Sequence, residues 1–317
     1  MFTYNLKKKK IWVAGHKGMV GRALVKKLLK NNCNVITVDK EELNLSNQID
    51  TRNWIKKNKP DVIYLAAAKV GGIKANMNHK SSFLYENLMI QNNVIKAAND
   101  FDIEKLVFLG SSCIYPKVTK QPMKEEELLS GKLEETNEGY ALAKIAGLKL
   151  CEYLNKENNK NFISLMPSNL YGPFDNFDLE NSHVLSALVK KIFLAKINNI
   201  KHIEVWGTGK ARREFLYVDD LADAAYFLTS NYHESSPINV GSFEEVSIEE
   251  LVHLISNALS YKVQIRYNKK MPDGTLLKKL DLSKISSLGW QPKTSLKEGI
   301  EKTLDFFKNK VILSKKK

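Results

Sequence analysis

Residues 10–29 read Lys-Ile-Trp-Val-Ala-Gly-His-Lys-Gly-Met-Val-Gly-Arg-Ala-Leu-Val-Lys-Lys-Leu-Leu. A short apolar run gives way to three spaced glycines and then to a helix-prone stretch, which is a strand, a turn and a helix in that order. In such a turn Gly15 allows the tight reversal, Gly18 lets backbone amides approach an anion, and Gly21 lets helix and strand pack closely. The helix N-terminus behind them favours negative charge. The loop from Gly15 through Lys17, Gly18, Met19 and Val20 to Gly21 is therefore the candidate seat for the pyrophosphate of a dinucleotide.

Working outward, further short apolar runs stand at 34–38, 61–65, 105–110 and 162–166, several of them β-branched, with helix-period segments between them. Buried parallel strands lose the in-out alternation of half-exposed ones, so this recurrence predicts an α/β doubly wound parallel sheet of Rossmann type. Beyond about residue 170 the pattern loosens into loops rich in Gly, Pro and Asn with isolated strands such as Ile203 to Trp206, which predicts a smaller, interleaved C-terminal α/β lobe. We expect a cofactor domain over 1–170 with roughly 216–241, and a substrate lobe over 171–215 and 242–317.

The chain has 317 residues, 43% of them hydrophobic, enough for one large core and a smaller one. Of the formal net charge of +14, seven charges belong to Lys7–Lys10 and Lys315–Lys317, read as solvated terminal runs. The remaining basic residues are scattered, with no aromatic-interleaved patch, which argues against a nucleic-acid partner and suits a phosphate-bearing cofactor and substrate. Cys33, Cys113 and Cys151 have no paired spacing, so neither a disulfide framework nor a metal site is expected. No apolar segment approaches the roughly 18 residues of a membrane span. A soluble, cytoplasmic protein is expected.

Tyr140 and Lys144 form Tyr-x-x-x-Lys, an i, i+4 pair on one helix face. A cation beside a phenol favours phenolate and predicts a lowered tyrosine pKa, which would make Tyr140 a usable proton donor near neutrality. Upstream, at the end of an apolar strand, stands Gly110-Ser-Ser-Cys-Ile-Tyr-Pro116. Ligands bind beyond the carboxyl ends of such strands, so Ser111 can donate a hydrogen bond to a carbonyl being reduced. Glycine loop, strand-end serine and Tyr-x-x-x-Lys, in this order, make a reductase reading. Taken singly, Cys113 reads as a small buried hydrophobe and His183 as a capping or core histidine. Cys33 and Cys151 read as packing residues.

Four blocks carry a family resemblance: Ala14-Gly-His-Lys-Gly-Met-Val-Gly21, Leu65-Ala-Ala-Ala-Lys-Val-Gly-Gly-Ile73, Gly110-Ser-Ser-Cys-Ile-Tyr-Pro-Lys117 and Asn169-Leu-Tyr-Gly-Pro173. Gln121-Pro-Met123, Asn181-Ser-His-Val184, Val205-Trp-Gly207, Arg213-Glu-Phe215, Val218-Asp-Asp220 and Pro272-Asp-Gly-Thr275 support it. Over nearly its whole length the chain resembles the GDP-L-fucose synthase family of extended short-chain dehydrogenase/reductases, whose glycine loop has the same G-x-x-G-x-x-G spacing. The resemblance implies epimerisation at sugar carbons 3 and 5 and NADPH-dependent 4-keto reduction of a GDP-4-keto-6-deoxy-hexose, in a homodimer whose segments 83–99 and 140–155 could pair. It implies catalytic roles for Ser111, Tyr140 and Lys144, and a proton-exchanging pair in Cys113 and His183, since a thiol and an imidazole pass protons in both directions near neutrality. Ala67, Lys144 and His183 join the cofactor residues by the same route, and Lys191, Trp206, Arg213, Asp273 and Lys278 become substrate contacts. Arg213 has the planar fork that grips a diphosphate.

Two positions depart from the family pattern: Lys191 stands for an arginine, and Gly139 for a proline, which predicts a looser backbone before Tyr140. Cofactor choice is contested within the sequence. Asp39, at the end of the second strand, favours NAD by holding a ribose hydroxyl, while Lys17 and Lys40 sit where the family grips a 2′-phosphate, which favours NADPH. A C4 reductase of a GDP-4-keto-6-deoxy-heptose with little epimerase activity is the alternative substrate reading.

Overall fold

The computed structural model describes residues 3–314 other than Pro272, with side chains as far as Lys310. Lys315–Lys317 and the first residue of the Pro272–Thr275 string lie outside the described residues.

The first half alternates strand and helix: β1 (Lys10–Ala14), α1 (Met19–Lys30), β2 (Asn34–Ile36), α2 (Gln48–Asn58), β3 (Val62–Leu65), α3 (Ile73–Asn78), α4 (Lys80–Asp100), β4 (Lys105–Leu109), α5 (Glu138–Asn158) and β5 (Phe162–Pro167). In β3, β4 and β5 every residue is buried, the burial of a strand covered on both faces. The second half continues with β6 (Asn169–Tyr171), α6 (Val184–Ile197), β7 (His202–Trp206), β8 (Arg212–Tyr217), α7 (Val218–Asn231) and β9 (Ile238–Val240). After these come β10 (Glu245–Ser247), α8 (Ile248–Ala258), β11 (Gln264–Asn268), β12 (Leu277–Lys278), α9 (Ser283–Ser287) and α10 (Leu296–Ser314).

Six strands form one parallel sheet in the order β2-β1-β3-β4-β5-β9. Helix α1 packs on α7, and α4 packs along both α2 and α5, so helices cover the sheet in two layers. The strand order reverses beside β1, which opens a crevice at the carboxyl ends of β1 and β3. The run at 34–38 pairs only over Asn34–Ile36, half-exposed as befits an edge strand.

A second sheet is centred on β8, which pairs with β6 and β12 in parallel and β10 antiparallel; β7 and β11 make a separate parallel pair. Two hydrophobic cores follow. One gathers the residues of the six-stranded sheet, including Leu216–Val240 of the second half, and takes back Leu280, Leu282, Ile285 and Trp290. The other joins α6, α8 and α10 to β7 and β8. Glu214, fully buried in β8, accepts amide hydrogens from Ser242 at 2.6 Å, Phe243 at 3.1 Å and Leu280 at 3.1 Å. One carboxylate thereby satisfies three loop donors and ties returning segments to the strand.

The basic N-terminal run is not wholly solvated. Lys10 opens β1 and donates to the carbonyl of Asn58 at 2.5 Å, and Lys9 pairs with Glu104 at 2.6 Å. Among the described residues no helix is long and apolar enough to cross a membrane.

Candidate active site

The glycine loop lies where the strand order reverses. Gly15 has φ +85°, and a Cβ on it would lie 2.6 Å from the backbone nitrogen of Ala67, just beyond β3; a Cβ on Gly21 would lie 2.1 Å from the carbonyl oxygen of Gly15. Both positions exclude a side chain. Gly18 caps α1 without a side-chain hydrogen bond, and a Cβ there would meet nothing closer than 3.5 Å, so that side of the turn is open. First-turn amides facing an open side are what a pyrophosphate requires, and the loop fits a dinucleotide. Asp39 is folded back over this loop: it accepts from the Lys17 ammonium at 2.6 Å and pairs with His16 at 3.1 Å. Its hydrogen bond from Lys17 holds its carboxyl below the usual range. Lys40 is exposed, and its charge reaches Glu86 on α4.

At the end of β4 the chain makes one turn of 3-10 helix over Ser112–Ile114. Ser111 caps it, its hydroxyl oxygen accepting the Cys113 amide at 3.2 Å, which leaves its own proton for a ligand. From α5, the Lys144 ammonium donates to the carbonyl of Leu109 at 2.8 Å and lies 5.7 Å from the centre of the Tyr140 ring. Burial pulls the Lys144 pKa down to about 8. Part of Tyr140 still meets solvent, yet burial drives its hydroxyl upward, and the Cys113 thiol acts in the same direction. This departs from the lowered tyrosine pKa that the i, i+4 spacing predicts: the ammonium is engaged by a backbone carbonyl, and desolvation outweighs it.

Gly139, in place of the family's proline, is not loose. It is buried in the first turn of α5, where a Cβ would come within 2.6 Å of the Lys80 carbonyl oxygen at the start of α4. The missing side chain lets the two helix N-termini touch.

A cavity of about 200 Å³ opens between α6, β7, β8 and the 273–275 loop, with His183, Lys191, Trp206, Arg213 and Asp273 on its wall. His183 is exposed at the N-terminus of α6. Lys191 donates to the carbonyl of Glu204 at 3.1 Å, and Arg213 to those of Arg212 at 2.8 Å and Asp273 at 3.4 Å. Among the described residues neither cation has a carboxylate within salt-bridge reach, and burial lowers the pKa of both. Two partly desolvated cations without direct counter-ions are prepared for an anion. Asp273 accepts from the Thr208 amide at 2.7 Å and from its hydroxyl, which fixes its loop.

Lys278, by contrast, is not on this wall; it lies in β12, in register with Arg213. Ser111, Cys113, Tyr140 and Lys144 also lie outside the lining, on the side of the six-stranded sheet. Arg213 joins the two groups, because the Cys113 charge acts on its guanidinium. Sequence reasoning passed over Glu134, only 8% exposed, which pairs with Lys117 at 3.3 Å and also acts on Arg213. Its setting, Leu-Glu-Glu-Thr-Asn, reads as a charged surface loop, and only its partners distinguish it. The Lys74–Glu180 pair across the cavity mouth was equally silent.

The family described as NAD dependent epimerase/dehydratase matches residues 11–241. A GDP-L-fucose synthase of Sinorhizobium fredii is 48% identical over 98% of this chain and 99% of its own. Among solved structures, a GDP-6-OMe-4-keto-L-xylo-heptose reductase from C. jejuni superposes with a TM-score of 0.91 at 36% identity, covering 97% of this chain and 99% of that one. A GDP-mannoheptose C4 reductase from Campylobacter jejuni with NADP bound gives 0.87 at 38% identity, covering 96% and 100%.

Proposed function

The chain belongs to the NAD dependent epimerase/dehydratase family and, within it, to the GDP-L-fucose synthases, and on that premise we propose that one pocket epimerises carbons 3 and 5 of a GDP-4-keto-6-deoxy-hexose and reduces its 4-keto group. It is an oxidoreductase of nucleotide-sugar synthesis that uses NADPH. The observation that carries the reading is the pair of partly buried cations Arg213 and Lys191, which stand on the cavity wall with His183, Trp206 and Asp273 and have no carboxylate within salt-bridge reach among the described residues.

We assign Arg213 and Lys191 to the diphosphate, their missing counter-ions being the reason. A ketone at carbon 4 acidifies the hydrogens on carbons 3 and 5; Cys113 removes one and His183 returns one from the cavity side. Ser111 donates to the 4-keto oxygen, and Tyr140, which burial keeps protonated, gives that oxygen its proton. Lys144 then stabilises the phenolate left behind. NADPH, when bound, supplies the hydride. Lys17 and Lys40 hold the 2′-phosphate on this assignment, with Asp39 neutralised by Lys17 rather than presented to the ribose; Gly15, Gly18, Met19, Val20, Gly21 and Ala67 form the seat. Asp273 orients the loop over the sugar, and Lys278 is kept only as an outlying contact.

Two lobes, residues 1–170 with roughly 216–241 and the remainder apart from the returning 280–290 segment, divide cofactor and sugar between them. A homodimer would cover Tyr85 on α4 and Leu142 and Tyr153 on α5, large apolar side chains left exposed on adjoining helices. Three free cysteines suit a reducing cytoplasm.

The likeness to two heptose reductases favours a second reading, reduction alone on a GDP-4-keto-heptose. Reaction of GDP-4-keto-6-deoxy-D-mannose with NADPH in heavy water, with the heptose analogue in parallel, separates the two. Deuterium at carbons 3 and 5 of a GDP-L-fucose product supports the first; reduction without exchange, or turnover of the heptose alone, overturns it.

A further inference from the structure

The part of the cavity wall that carries His183 is not held by its own lobe alone. Gly72, the residue that caps α3 beyond the end of β3, donates its amide to the carbonyl of Asn181 at 2.8 Å. A Cβ on Gly72 would lie 2.3 Å from the carbonyl oxygen of Ser182 and 3.1 Å from its carbonyl carbon, the peptide group that leads into His183. The backbone of Gly72 does not itself ask for glycine, because φ −68° and ψ −179° are extended values open to any residue. What excludes a side chain is the approach of the Ser182–His183 peptide.

Both sides of this contact are stiff. Asn87, buried in α4, accepts the Lys69 amide at 2.9 Å and donates to the Lys69 carbonyl at 3.0 Å; Asn76, buried in α3, donates to the carbonyls of Gly71 at 2.8 Å and Gly72 at 3.0 Å. Opposite them the 178–182 loop is knotted on Asp178, whose carboxylate accepts the amides of Glu180 at 3.0 Å and Asn181 at 2.9 Å and whose carbonyl accepts the Ser182 hydroxyl. The exposed Lys74–Glu180 pair at 3.0 Å adds little to this backbone contact.

We propose that Gly72 is a positioning residue for His183: the turn held by Asn76 and Asn87 is a seat for the Ser182–His183 peptide and fixes where the imidazole stands on the cavity wall. Gly72, Ser182 and His183 lie together on that wall. The His183 carbonyl accepts the Ala187 amide at 3.0 Å, so the residue is held by α6 on one side and by the seat on the other. Burying a polar side chain costs free energy unless its hydrogen bonds are made. Two buried asparagines that serve the backbone of one short turn are explained by the precision this contact requires.

The inference rests on the proposed return of a proton by His183, and the experiment separates the two. GDP-4-keto-6-deoxy-D-mannose is turned over with NADPH in heavy water and stopped at partial conversion. An enolate that His183 reaches goes on to labelled, inverted product. One that it misses takes deuterium back from the solvent-exchanged Cys113 thiol, on the face it left, and is recovered as labelled, uninverted substrate. The ratio of labelled substrate to labelled product does not depend on how much enzyme is folded, so it reads position and not stability. Gly72→Ala must push the Ser182 carbonyl back by about 1 Å, and misplacement on that scale costs roughly 100-fold, so the ratio should rise about tenfold or more with the KM for NADPH unchanged. Asn76→Ala, which removes the donor to both turn carbonyls, should raise it by less. A ratio equal to that of the wild type in Gly72→Ala, or in Asn76→Ala where the first variant does not fold, overturns the positioning role. A wild type that labels neither compound overturns the proton chemistry itself, before any variant is compared.

Discussion

Gly21→Ala sets two calculable effects against each other. Gly21 is the third residue of α1, and alanine in a helix is favoured over glycine by about 1 kcal/mol. Against this, the new methyl would lie 2.1 Å from the Gly15 carbonyl oxygen and 2.6 Å from the His16 Cα, backbone atoms that cannot swing aside. Restoring an ordinary contact requires the start of α1 to move about 1 Å from the turn, and overpacking of this kind costs about 1–3 kcal/mol. The contact wins, by about 1 kcal/mol, and melting should fall by a few degrees. The cofactor effect is larger, because a displacement of about 1 Å between turn and helix separates amides that must converge on one pyrophosphate, and misplacement on that scale costs roughly 100-fold. Initial rates over a range of NADPH concentrations give kcat/KM, and calorimetry gives the melting temperature. A variant that melts higher than wild type and keeps its KM for NADPH would refute the reasoning, since propensity would then have outweighed the contact.

Four further outcomes are expected. Tyr140→Phe removes the proton donor and should lower NADPH oxidation by about 100-fold or more while cofactor binding, read by fluorescence, persists; turnover within tenfold of wild type excludes the role. Cys113→Ser should slow deuterium uptake at carbons 3 and 5 more than reduction, and equal slowing counts against the base assignment. Asp39→Ala frees Lys17 from its 2.6 Å partner and should lower the KM for NADPH relative to NADH, whereas no change means the pair is irrelevant to the 2′-phosphate. Lys105 is fully buried with a pKa pulled down to about 7, so between pH 7 and 8 the unfolded chain holds a proton the folded chain has released, and urea-unfolding stability should rise by about 1.4 kcal/mol per unit; Lys105→Met should flatten that rise, and a flat wild-type profile refutes it.

Where local sequence and local structure are the same thing, the chain was readable. The β1 run, the glycine turn and α1 form a continuous segment whose roles follow from residue size, and the strands at 105–109 and 162–167 announce themselves by apolarity alone. Where a residue's meaning lies in a partner far along the chain, reading failed or stayed open. Gly139 looked like a loosened proline position and is a contact with Lys80, nearly sixty residues earlier. Lys9 and Lys10 looked like a solvated tail and are tied to Glu104 and Asn58. Leu280 to Trp290 carry no sign that they leave one lobe for the core of the other.

The Tyr140 case shows why spacing is a weaker guide to acidity than to geometry. An i, i+4 pair does bring Lys144 to 5.7 Å from the ring centre, as helical geometry dictates. Yet the pKa responds to everything around the group, and here the Leu109 carbonyl takes the ammonium while burial and the Cys113 charge raise the phenol. The same holds for Cys113. As one cysteine in Ser-Ser-Cys-Ile it is a small side chain at a strand end, but the fold brings it near enough to act on both Arg213, a hundred residues on, and Tyr140. The side chain to which we assign the proton exchange thus also bears on the one to which we assign the final proton, and this juxtaposition exists only once three distant segments have been folded together.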